Sequence, residues 1–103
     1  MAIRVNTQIG TSGGITNQAY IRISTYLVDK INSQVRFSLE IYNSEAEKID
    51  KNNIVSNKQI GNFVYRKVTN FSDFENTDIF TAGYSDLRNH LQTIYGPNST
   101  TDC

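Results

Sequence analysis

At 103 residues the chain has room for one domain and one modest core. Apolar residues make up 38% and charged residues 19%; the balance is polar, and ten basic residues cancel ten acidic ones. That neutrality argues against a nucleic-acid binder, and no polybasic stretch would draw the chain to an anionic membrane. Nor does any apolar run approach the roughly 20 residues that span a bilayer.

Ile3 and Val5 alternate with Arg4 and Asn6, which predicts a short first strand ending near Ile9. The N-terminus reads straight into this strand and shows no signal peptide. Gly10, Gly13 and Gly14 then break the pattern and permit a tight or mobile turn. The second strand, 19–29, places Ile21, Ile23 and Leu27 on one face and Tyr20, Arg22, Ser24 and Tyr26 on the other. After a polar turn, the third strand is the clearest in the chain: Val35, Phe37, Leu39 and Ile41 point one way, Arg36, Ser38, Glu40 and Tyr42 the other. These two strands form an antiparallel hairpin with one apolar face that needs a cover. Residues 43–57 read as a long polar excursion with room for a helical turn. Residues 60–68 return to strand, and 69–77 form a second loop carrying Phe71 and Phe74.

From residue 78 the apolar period changes from two to helical. Phe80, Tyr84, Leu87, Leu91 and Ile94 fall on one stripe, with Thr77 or Asp78 as N-cap and Gly96-Pro97 as the stop. A rod of about 27 Å matches the length of eight strand residues at about 3.3 Å each. The expected fold is therefore α+β: a four-stranded antiparallel sheet covered on one face by a single C-terminal helix. One domain spans 1–97, and 98–103 form a C-terminal tail.

The other sheet face is expected to carry Tyr20, Tyr26, Tyr42 and Tyr65 with Arg22, Arg36, Glu40 and Lys67. Such tyrosines serve first as cross-strand pairs, next as a docking surface for protein, and last as stacking platforms for single-stranded nucleic acid, which the neutral charge argues against. The polar tail has little to order it alone, and neighbouring subunits are expected to hold Asp102 and Cys103.

Residues that could carry chemistry are few. His90 has no second histidine or cysteine pair to complete a metal set, and with Asp86 it reads as a helix-surface pair. Ser85, His90 and Asp86 lack a nucleophile elbow. Asp73/Glu75 and Glu45/Glu47 lack the spacing of a calcium loop, and Gly10–Gly14 lacks the Lys-Ser/Thr ending of a phosphate loop. The lone Cys103 cannot bridge within the chain, which fits synthesis in a reducing cytosol. An enzyme is not expected, nor a cofactor, metal or small-molecule substrate.

Tyr84, Leu87, Leu91, Gln92, Thr93 and the ending Thr101-Asp102-Cys103, with Ala19-Tyr20-Ile21-Arg22-Ile23 and the strand 35–42, resemble a group of short phage proteins. In that group a tyrosine-bearing helix closes with a Leu-Lys-Thr-like segment, a short loop and a terminal Asp-Cys or Asp-Val. Gln92 stands where lysine is usual, and Gly96-Pro97 shortens the linker. The resemblance implies a virion structural protein of the tail or baseplate, made in the host cytoplasm and assembled with other virion proteins and copies of itself. It implies no catalytic residues. The alternative is a small monomeric module that binds and regulates or inhibits a host protein, with its termini packed on its own core.

Overall fold

The computed structural model describes residues 2–29, 31–32, 34–57, 60 and 78–103, together with the backbone course of 64–68. The strands are β1 (Ile3–Val5), β2 (Ile9–Thr11), β3 (Gly14–Thr16), β4 (Ala19–Asp29), β5 (Gln34–Tyr42), β6 (Val64–Val68) and β7 (Thr100–Asp102), and the α-helix among the described residues is α1 (Ile79–Tyr95). The fold is α+β. The four predicted strands form an antiparallel sheet, and β7 joins them as a fifth, giving the order β6-β5-β4-β1-β7. Expectations for Phe71, Phe74 and Thr77 fall outside the described residues.

The helix begins where Asp78 accepts a hydrogen bond from the Phe80 N–H at 3.1 Å, satisfying one of the donors that a first turn leaves open. It ends with the Gly96 N–H donating to the Gln92 carbonyl. Tyr84, Leu87 and Leu91 are buried against Ile3, Val5, Ile21, Ile23, Phe37 and Leu39 in one core. Each such aliphatic side chain contributes about 1.5–3 kcal/mol through burial. The closest approach of helix and sheet is at Gly83. A Cβ there would lie 3.0 Å from Phe37 and from Tyr26 and 3.2 Å from Ile23. Phe80, at the end of the predicted stripe, stays half-exposed because it rides on the edge of the Tyr26 ring, centroids 4.6 Å apart, rather than entering the core.

Two segments differ from the expected pattern. The first strand stops at Val5, and the glycine segment is a structured hairpin: β2 and β3 pair as a separate two-stranded sheet around Ser12-Gly13. Its place is fixed by the 43–57 excursion. The Thr11 hydroxyl lies 2.7 Å from Asn43 Oδ1, Asn43 Nδ2 donates to the Gly13 carbonyl, and Asn57 Nδ2 donates to the Gly10 carbonyl. Gly13 sits so close to Val55 that an added Cβ would approach it to 2.7 Å.

The tail is the second difference. It is no free arm awaiting neighbouring subunits. Thr100–Asp102 pair with Val5, Arg4 and Ile3 of β1, and Ala2 and Cys103 exchange backbone hydrogen bonds of 3.1 and 2.8 Å. Arg88 of the helix binds Asp102 at 3.1 Å and Gln92 donates to Thr100 Oγ1 at 3.1 Å, so the last turns of α1 clamp the strand they precede. The physical reason is local: β1 would otherwise be a bare edge, and the tail supplies its missing partners.

Candidate interaction surface

The face of the sheet opposite the helix is divided by a single residue. From Tyr20 to Ile23, β4 runs in regular register with β5: Tyr20 opposite Tyr42, Ile21 opposite Ile41, Arg22 opposite Glu40, Ile23 opposite Leu39. The register then shifts, so that Thr25 faces Ser38, Tyr26 faces Phe37, Leu27 faces Arg36 and Val28 faces Val35. Ser24 is the extra residue of a β-bulge, and its hydroxyl donates to the Ser38 carbonyl at 3.0 Å. A one-residue shift exchanges the two faces of a strand. The bulge therefore turns Tyr26 inward and Leu27 outward. Next to it, the Ile23 N–H donates to the hydroxyl of Tyr84 at 2.8 Å, tying the bulge to the helix.

Before the bulge the outer face is covered. Tyr20 and Tyr42 are 7% and 0% exposed, their ring centroids 6.5 Å apart, in a small second core with Ala2 and the partly buried Ile54. The cover is the excursion. A 3-10 turn at Glu45–Ile49 lies over β4 and β5, another at Lys51–Asn53 packs on the first, and Val55 returns to bridge Ile41. The Lys48 ammonium sits 5.1 Å from the centre of the Tyr20 ring. Arg22 is held by Glu40 and lies 5.6 Å over the Tyr42 ring. These contacts act on charge: hydrogen bonding to Glu40 raises the Arg22 value, and bonding to Glu45 together with the field of Tyr20 raises that of Lys48.

After the bulge, described residues of the outer face lie open. Leu27 is 57% exposed and Arg36, opposite it, is exposed. Arg36 is in turn register partner to Arg66 of β6. The hairpin ends in a well-made turn. Asp29 accepts from the Ile31 and Asn32 N–H groups and from Asn32 Nδ2, and the Asn32 contacts hold its carboxyl below the usual range. This turn presents Ile31 at 94% exposure.

The eight expected contact residues are thus dispersed. Tyr20 and Tyr42 are buried under the excursion, whose apolar Ile54 and flexible Lys48 the sequence pattern did not assign to them. Tyr26 is on the helix side, because the bulge moves it there; its ring meets Phe37 edge-on at 5.0 Å, and burial raises its hydroxyl value. The side chain of Tyr65 falls outside the described residues. Arg22 is half-buried in an ion pair, and Arg36 is exposed as expected. Asp102 and Cys103 are exposed on the tail strand, beside a cavity of about 320 Å³ lined by Ala2, Ile3, Tyr84, Arg88, Asp102 and Cys103. Arg88 and Asp102 engage each other there. The sequence reasoning missed Leu27 and Ile31 as exposed positions. A signal existed: Thr25 interrupts the apolar series between Ile23 and Leu27.

Among the described residues no group of three or more His, Cys, Asp or Glu side chains is placed to hold a metal ion, and no helix is long and apolar enough to cross a membrane. His90, Ser85 and Asp86 are all half-buried on α1. Comparison with sequence families, with curated proteins and with solved structures gives no match.

Proposed function

We propose that the chain is a structural subunit of a bacteriophage virion, a tail or baseplate component that works by protein–protein contact. The observation that carries the docking role is the distal end of the β4–β5 hairpin. Leu27 is exposed on the outer face of the sheet and Ile31 on the turn beyond it, where Asp29 accepts from the Ile31 and Asn32 N–H groups. Exposed apolar side chains near one hairpin end suit contact with a partner protein. The assignment to a virion comes from the resemblance of the helix, the tail and the second and third strands to short phage proteins. Such a subunit needs shape and fixed surfaces, with no reacting group.

The test is mass spectrometry of particles purified from cells that carry the gene. A subunit is found at a constant ratio to the other particle proteins through successive gradients. Loss of the chain on purification sinks the proposal.

One observation favours a second reading. The tail strand closes on its own β1, as the small monomeric binding module requires. A chain lost from the particles but retained on a host protein in cell extracts supports that module.

A further inference from the structure

Strand β4 is 11 residues long, yet β1 pairs only with Ala19, Tyr20 and Ile21. On that same edge the Ile23 N–H donates to the Tyr84 hydroxyl, so it points away from β5. In an antiparallel pair, opposed residues alternate between exchanging both backbone hydrogen bonds and exchanging neither. Leu39, opposite Ile23, is of the second kind, and so along β5 are Phe37 and Val35. Past the bulge these two stand opposite Tyr26 and Val28. The N–H and C=O groups of Tyr26 and Val28 therefore turn toward the edge that β1 does not reach. Among the described residues no strand pairs with them there. Ser24, Thr25, Leu27 and Val28 are exposed beside it. From Ile23 to Val28 the strand also holds no charged residue and no proline, the usual guards of a bare edge.

We infer that two copies of this chain pair antiparallel along this edge, about a two-fold axis beside Leu27, joining their sheets into one. Tyr26 of each copy exchanges backbone hydrogen bonds with Val28 of the other. The occupant is a second copy because the match is of the edge with itself. Tyr26 and Val28 both turn outward and flank Leu27 evenly, as a strand meeting its own copy about a dyad requires. Leu27 then meets Leu27 of the other copy at the close, non-hydrogen-bonded position, which covers a side chain left 57% exposed. Thr25 falls opposite Asp29, so no like charges meet across the join. This names the partner for the docking end of the hairpin, and it rests on that docking reading.

Light scattering of the full chain across a range of concentrations tests the pairing, with the wild type expected as a dimer. Val28→Pro removes an outward N–H and leaves the bonds between β4 and β5 in place. It is expected to weaken the dimer about tenfold or more, whereas Val28→Ala, which keeps the N–H, changes it little. Circular dichroism checks that both variants keep the fold. A second measurement does not depend on the proline variant folding. In a Cys103→Ser background, Leu27→Cys is expected to cross-link the dimer on mild oxidation with diamide. Thr25→Cys is expected not to, because its two copies lie too far apart along the strands to bridge. A monomeric wild type at every concentration overturns the inference. So does a dimer that Val28→Pro leaves intact, or one that Leu27→Cys fails to cross-link. A monomer found in purified particles sinks the pairing and spares the virion reading; a dimer lost from particles does the reverse.

Discussion

The two halves of one sheet face are built from the same kinds of residue and have opposite fates. Before the bulge, aromatic and charged side chains are covered by the chain's own excursion, and Arg22 finds its acid across the strand in Glu40. Beyond it, Leu27 and Arg36 face solvent, and the residue opposite Arg36 on β6 is another arginine. The difference teaches that a residue's type and strand position do not decide whether it is a contact surface. What decides is whether another part of the same chain reaches it.

Substitutions that act unequally on the two halves sharpen that contrast. The largest expected effect is Tyr42→Ala, which empties the covered half and costs about 3–5 kcal/mol, read as a lower urea midpoint at unchanged slope. An effect under about 1 kcal/mol would mean that the excursion does not pack on the sheet. Next comes Tyr84→Phe, which removes the acceptor from the Ile23 N–H beside the bulge and costs about 1–3 kcal/mol.

The same tyrosine gives a pH dependence. Burial raises the hydroxyl values of Tyr84, Tyr26 and Tyr95 in the folded protein. The unfolded chain therefore loses these protons first as pH rises. Their contribution is complete below the unfolded tyrosine value of about 10 and declines as pH climbs from there toward the folded values. Urea midpoints measured at pH 8, 10 and 11 should fall a little by pH 10 and most in the last step, and less steeply in Tyr84→Phe.

Glu40→Gln comes third. It leaves Arg22 without its ion pair, but the arginine side chain is one-third exposed, so the cost is about 1 kcal/mol and shrinks with added salt. Smallest is Leu27→Ser on the bare half, with stability changed by no more than about 0.5 kcal/mol. A large loss there would erase the contrast, since it would mean that Leu27 is already buried against something.

Much of the fold was legible from residue spacing. The alternation of Val35, Phe37, Leu39 and Ile41 located β5 and its buried face, and Tyr84, Leu87 and Leu91 located the helix and the side it turns to the sheet. The candidate surface was not, for two physical reasons. A bulge is one residue long and leaves only a faint mark, here Thr25 in an apolar position, yet it inverts every later side chain of the strand. And a polar excursion such as 43–57 shows no period, so which face it covers depends on tertiary contacts such as Asn43 to Gly13 and Val55 to Ile41. The tail was misread for a related reason: Thr100–Asp102 carries no apolar pattern, and its strand is made by backbone and by Arg88 and Gln92.

The closure of β7 on β1 has a kinetic side. Ala2 and Cys103 are hydrogen-bonded neighbours separated by nearly the whole chain, and the entropy of closing so long a loop is repaid only when the sheet between them exists. The edge strand is thus the last to dock in refolding. On the ribosome, β1 must wait with an open edge until residues 100–102 emerge, and during that interval another nascent copy can occupy the place the tail will take.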